Sequence, residues 1–251
     1  MGEPQYHIRA QPGDVGEAVL LPGDPGRVES IAKLLDRPRL IARNREYVTY
    51  TGNVNGRAVS VCSTGIGSPS TAIAVEELAA IGARIFLRVG TTGSIQSHVG
   101  FGDLVVATAA VRDEGTTPGY APLGYPAVAD FELAQAMLGA ARGLKHRVHA
   151  GIVRSHDSLY TDLHAAAMPR REELEQALRV WQRAQVLCND MESSAIFVIC
   201  GLRRLRGGSV LTVVNEPGEA DIDPKKVAAL DLTPMFRVAL AAIGQLSPPQ
   251  A

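Results

Sequence analysis

Neither sign of charge is in excess in this chain. Its 251 residues carry 25 Lys and Arg against 26 Asp and Glu, a formal net charge of -1. A global electrostatic footprint for nucleic acid is therefore missing, and any role for arginine must be local. Cysteine is scarce as well. Cys62, Cys188 and Cys200 form neither a CxxC pair nor a metal-ligand spacing. Their odd number, and the apolar runs around two of them, read as buried free thiols in a reducing cytoplasm. No apolar run approaches the ~18 to 20 residues that span a bilayer. The opening MGEPQYHIRAQPGD lacks the apolar core of a signal peptide. These absences read together as a cytoplasmic protein with no membrane partner. Repeats, low-complexity tracts and a dividing Gly, Ser or Pro linker are also missing, so residues 1–251 read as a single domain.

What is there is an α/β pattern. Apolar residues make up 46% of the chain, enough for a sizeable core. Short buried-type strands are expected at 18–21, 58–63, 84–89, 104–111, 149–154, 185–188 and 209–214. Helices are expected at 70–82, 193–205 and, interrupted or restarted by Pro234, over 227–246. Continuous apolar strands separated by helices imply a largely parallel sheet covered on both faces. Ligands in such sheets gather at the carboxyl ends of strands, and the unusual residues of this chain stand there.

Gly23-Asp24-Pro25-Gly26-Arg27 follows the first strand. It is either an anion-approach loop ending in an arginine at a helix start, or a plain tight turn. Thr64-Gly65-Ile66-Gly67-Ser68-Pro69-Ser70 falls short of a dinucleotide fingerprint. It fits a turn allowing close packing or anion approach better. Arg88 lies inside the apolar run IFLRV, ahead of Gly90-Thr91-Thr92-Gly93. A charge buried there needs a partner, either a structural carboxylate or a bound anion such as phosphate. Asn189-Asp190-Met191-Glu192 opens a helix, and its acids either cap that helix or bind sugar hydroxyls.

The segments PGDPGRVESIA, NREYVTY, VCSTGIGSPSTAIAVEELAAIG, FLRVGTTGSIQ, APLGYPAVADFEL and NDMES occur in order. From about His7 to Val214 the chain resembles the nucleoside phosphorylase family, its uridine phosphorylase branch above all. The resemblance implies one α/β domain with a mixed, partly barrel-like central sheet. It also implies phosphate-dependent cleavage of a nucleoside to base and ribose 1-phosphate, with phosphate as co-substrate and no cofactor. By position, Gly23, Arg27, Arg88 and Thr91 match phosphate-binding residues. Arg45 matches one that reaches phosphate from a neighbouring subunit. His7, from the same neighbour, together with Thr91, Met191 and Glu192, matches the ribose contacts. Thr92, Gly93, Leu159 and Asn215 fall around the base. Arg27, Arg88 and Glu192 are the residues expected to carry catalysis. Glu46, Ile66 and Ser70 match positions that hold a monovalent cation between subunits in some relatives. A homo-oligomer, at least a dimer and by family habit a hexamer, is implied.

The base end departs from that pattern. Uridine phosphorylases place a Gln and an Arg after an aromatic pair. Here those positions fall at about Leu163 and Ala165, and the usual Phe is Leu159. After the last strand stand Asn215 and Glu216, where an Asn-Arg pair is usual. His164, Arg170 and Arg171 are candidate substitutes for the lost donors, or else members of a solvated charged helix.

Overall fold

The computed structural model describes residues 3–219 and 221–246. The run AVLL forms strand β1 (Ala18–Leu21), with all four residues buried. It is flanked by β4 (Arg57–Cys62) and β5 (Ile85–Ser94), parallel to both. Beyond β4 the sheet continues as an antiparallel meander through β3 (Tyr47–Val54) and β2 (Asp36–Asn44). Asn55 and Gly56 join β3 to β4 with φ of 49° and 79°. That is the left-handed pair a tight hairpin needs.

The other edge of β5 starts a ring. β5 pairs in parallel with β10 (Arg206–Asn215), and β10 antiparallel with β6 (Leu104–Asp113). β6 is parallel to β8 (Val148–His156), which is parallel to β9 (Cys188–Asp190). β9 closes back antiparallel on β5. Five strands thus form a closed mixed barrel, with β1, β4, β3 and β2 as an open extension. The short β7 (Ala127–Val128) adds to β6. The expectation of a largely parallel sheet is corrected by the meander and by the two antiparallel joints of the ring.

β5 serves both halves of the sheet. β1 accompanies it up to the pair Leu21 and Arg88. β9 takes over the same edge only at Gly93. Between them, Val89 to Thr92 have no strand on that edge among the described residues, and the sheet opens there.

The helices are α1 (Val28–Ala32), α2 (Ser68–Ala80), α3 (Phe131–Gly143), α4 (Leu159–Leu163), α5 (Arg171–Arg183), α6 (Ser193–Arg203), α7 (Pro224–Ala228) and α8 (Thr233–Gln245). α6 is apolar on all sides and buried from Ser193 through Cys200, packed against α2 and β10. Asp130 caps α3 by accepting from Leu133 N–H at 2.8 Å. Asp223 caps α7, and Pro234 opens α8 rather than breaking it. α5 buries no residue completely and packs on α4 and the turn before it. All three thiols are free and buried, as expected. Among the described residues no helix is long and apolar enough to cross a membrane.

Candidate active site

The opening in the sheet is a cavity of about 330 Å³. The loop after β1 contributes Gly23, Asp24 and Arg27 to its wall. The end of β5 contributes Arg88 and Gly90 to Ile95. Asn189 to Glu192 and Val214 to Glu219 come from the strand ends beside it. Strand carboxyl ends therefore build the site.

Arg88 is 5% exposed. Its Nε donates to Asp190 Oδ2 at 2.8 Å, and Nη2 lies 2.6 Å from Glu192 Oε2. The structural-carboxylate reading of this buried charge holds, and Arg88 also lines the cavity. Nη1 donates to no described residue. Burial alone would lower the Arg88 pKa, but Glu192 and Asp190 more than compensate and raise it. Burial, the largest influence, raises Glu192 above the ordinary glutamate range. Arg88 and the Gly67 N–H pull the other way.

Asp190, read in the sequence as a helix cap or sugar ligand but not among the expected site residues, is the anchor of the site. Its Oδ2 accepts from Arg88, from Ser193 N–H at 3.0 Å and from Ser193 Oγ at 2.6 Å. Its Oδ1 accepts from Ser155 Oγ at 2.6 Å. The acid therefore both caps α6 and orients Arg88. The capping role is the one the acidic helix start pointed to, whereas the hold on Arg88 had no signal in the sequence.

The glycine-rich turn after β4 does receive an anion, but the anion is the protein's own. Gly67 N–H, at φ 98°, donates to Glu192 Oε1 at 2.6 Å. Ser68 Oγ donates to the Met191 carbonyl at 2.9 Å. This turn fixes the 191–192 pair at the cavity wall. It also meets the first loop, since Thr64 N–H donates to the Pro22 carbonyl at 2.9 Å.

Arg27 is half-buried, with Nε 3.7 Å from Asp24 Oδ2. Burial lowers its pKa, Asp24 opposes that, and Arg88 lowers it further. Arg27 and Arg88 line the same cavity.

Gly23, Arg27, Arg88, Thr91, Thr92, Gly93, Leu159, Met191, Glu192 and Asn215 all line this cavity. His7 and Arg45 do not. They lie together elsewhere on the chain, joined by the exposed Tyr6. The Tyr6 and His7 rings meet edge-on at 4.8 Å, and the Arg45 guanidinium lies 6.0 Å from the Tyr6 centroid. Glu77 holds this segment, accepting from His7 N–H at 3.0 Å and Ile8 N–H at 2.9 Å. Glu46, Ile66 and Ser70 also stand close together. Ser70 Oγ donates to the Ile66 carbonyl at 3.4 Å, and Gly65 packs against both Glu46 and Ser70.

At the base end, Leu163 lines the cavity and Ala165 does not. Arg170 and Arg171 pair with Glu173 and Glu175 at the exposed start of α5, outside the wall. His164 pairs with Asp221 at 2.7 Å, also outside. Glu216 borders the cavity, but its Oε1 accepts from Phe101 N–H at 3.1 Å. The side-chain amide of Asn215 donates to Glu219 Oε2 and to the Asp221 carbonyl. His156, Asp162, Leu178 and Gln182 complete this end, unforeseen in the sequence. They reach it from β8, α4 and α5.

The family model described as the phosphorylase superfamily matches residues 17–244. The uridine phosphorylase of Treponema pallidum (strain Nichols) is 42% identical over 239 residues, covering 95% of this chain and 93% of the relative. That of Thermococcus kodakarensis is 47% identical over 236 residues, covering 90% and 83%. The guanosine phosphorylase of Halorubrum lacusprofundi is 40% identical over 209 residues, covering 83% and 82%. With the strand-end cavity and its paired arginines, these matches place the chain in the phosphorylase superfamily.

Proposed function

We propose that the chain is a nucleoside phosphorylase that transfers the ribosyl group of a nucleoside to inorganic phosphate. The observation that carries this reading is that Arg27, Arg88 and Thr91 share the wall of one strand-end cavity with Met191 and Glu192. A phosphate oxygen attacks C1′, the N-glycosidic bond breaks, and the base leaves with the bonding electrons. The products are free base and ribose 1-phosphate. Arg27, Arg88 and Thr91, with the backbone at Gly23, hold the nucleophile under C1′. Positioning of this kind removes several kcal/mol of barrier. Met191 and Glu192 hold the ribose, so that contacts remote from the reacting carbon align it. The chemistry needs no cofactor.

The assembly is at least dimeric in this reading. Within one chain, two guanidiniums (Arg27, Arg88) stand beside three carboxylates (Asp24, Asp190, Glu192). An incoming phosphate needs another cation. Arg45 is exposed, lies outside its own cavity and travels with His7. Both suit delivery to a neighbour's cavity, Arg45 to phosphate and His7 to the ribose. Glu46, Ile66 and Ser70 are the candidate cation position at that interface.

The positions expected to carry the uracil-binding Gln and Arg hold Leu163 and Ala165, with Gln182 reaching the same wall from α5, so the reading includes an altered base choice. The experiment is an assay of ribose 1-phosphate formation from purine and pyrimidine nucleosides, with and without inorganic phosphate. Base release that proceeds equally without phosphate would replace phosphorolysis with hydrolysis.

A further inference from the structure

Asp190 reaches away from Arg88 through its other oxygen to Ser155, and the next residue, His156, faces the base end of the cavity. His156 is 4% exposed. Its ring makes no hydrogen bond to a described residue, and Nε2 stands 3.7 Å from Asp162 Oδ2, beyond hydrogen-bond range. The ring stands in the cavity wall, where a ligand can supply the partner it lacks.

Asp162 lies beside it in the same wall. Its Oδ2 accepts from Arg154 Nη1 at 2.6 Å and from Asn189 Nδ2 at 3.0 Å. Arg154 is buried, holds Asp113 through Nε at 2.6 Å, and does not itself line the cavity. The ion pair leaves Asp162 an acceptor only, and Oδ1 receives no hydrogen bond from a described residue. Burial lowers the His156 pKa, with Arg154 adding to the effect against Asp162 and Asp190. The neutral form of the imidazole is thereby favoured. Arg154 balances Asp162 from behind the wall, and among the described residues Arg27 and Arg88 are the only Lys or Arg that line the cavity itself.

That pair sorts the bases. Uracil offers one N–H flanked by two carbonyls, and a carboxylate facing it meets a carbonyl on either side. Adenine and cytosine set an amino group beside a ring-nitrogen acceptor, which a carboxylate repels. Guanine alone sets two adjacent donors, N1–H and the 2-amino group, beside a carbonyl. We propose that Asp162 and His156 select guanine, Asp162 accepting from N1–H and the 2-amino group while His156 donates to O6. This rests on the phosphorolysis reading above.

Phosphorolysis of guanosine, inosine and uridine by the full-length protein tests it. Inosine lacks only the 2-amino group, so guanosine is expected to exceed it in kcat/KM by about tenfold or more, and uridine by at least as much. Asp162→Asn should collapse the guanosine to inosine ratio towards one. His156→Phe should slow both purines alike and leave the ratio standing. Calorimetric binding of free guanine against hypoxanthine to the unsubstituted protein gives the same comparison without relying on a variant that folds. Uridine as the fastest substrate, or a guanosine to inosine ratio unmoved by Asp162→Asn, overturns the assignment while leaving phosphorolysis intact. No phosphate-dependent cleavage of any nucleoside overturns both.

Discussion

The guanidinium of Arg88 folds back over Gly90, so that a Cβ at Gly90 would lie 2.7 Å from Arg88 Nη2 and 2.8 Å from Cζ. Asp190 and Glu192 hold that guanidinium, so it cannot swing clear. Gly90→Ala should displace Arg88 and raise the KM for phosphate by about tenfold or more, the scale of one charge-assisted hydrogen bond. Steady-state kinetics at varied phosphate would check this. An unchanged phosphate KM would show that Arg88 is not a phosphate ligand.

Asp190 carries the opposite balance of effects. Asp190→Ala leaves Arg88 buried beside a hole and uncaps α6. Breaking one side of a buried ion pair costs about 3–5 kcal/mol. Urea unfolding should register a loss of that size, and a loss under ~1 kcal/mol would contradict the anchoring role.

Lys226 ties down the segment that closes the base end. Its Nζ lies 2.8 Å from Glu219 Oε1, 3.9 Å from Glu216 Oε2 and 4.3 Å from the Phe101 ring centroid. Pro217, Gly218, Glu219 and Ile222 of that segment line the cavity. Lys226→Met should raise the nucleoside KM several-fold while phosphate KM and the unfolding midpoint stay put. Equal change in both KM values would assign it a general structural role instead.

The depressed pKa of His156 gives stability a signed pH dependence. The unfolded histidine titrates near 6.5, and the folded one lower, so the unfolded chain binds more protons between the two values. Stability is therefore complete above pH ~6.5 and falls as pH drops towards the folded value. The groups facing the ring are Asp162, Arg154, Asp190 and Asp113. His156→Phe should lose less stability than the parent between pH 7.5 and 5.5 in urea titrations. Parallel losses in the two proteins would show that the ring does not titrate this way.

Burial pushes the Cys62 and Cys188 thiols up to about 12, and raises Cys200 as well. The native protein at pH 8 should be inert to a disulfide reagent, and should release three thiols on unfolding. Rapid labelling of any one in the folded state would contradict its burial.

Much of this was legible in the residues. β1 matches its apolar run residue for residue, and the charge of Arg88 inside an apolar run points to the cavity wall where it lies. β2 escaped because DRPRLIARN is an exposed edge strand whose charges face solvent, so no apolar period announces it. β9 was expected over 185–188 but runs Cys188–Asp190, since a short strand takes its limits from its neighbours β8 and β5. The base end was the least readable part. His156, Asp162 and Gln182 come from three separate elements, and α5 is an amphipathic surface helix whose pattern says nothing about a cavity beneath it.

The place where β1 gives way to β9 along β5 separates two evolutionary workloads. The anion end hangs on β1 and on the middle of β5, inside the packed sheet, where few replacements are tolerated. The opposite end takes His156 from the barrel strand β8 and the rest of its wall from α4, α5 and the segment after β10, at the periphery. If the proposed roles of the two ends hold, edits confined to the periphery should change the base accepted while the phosphate end keeps its packing.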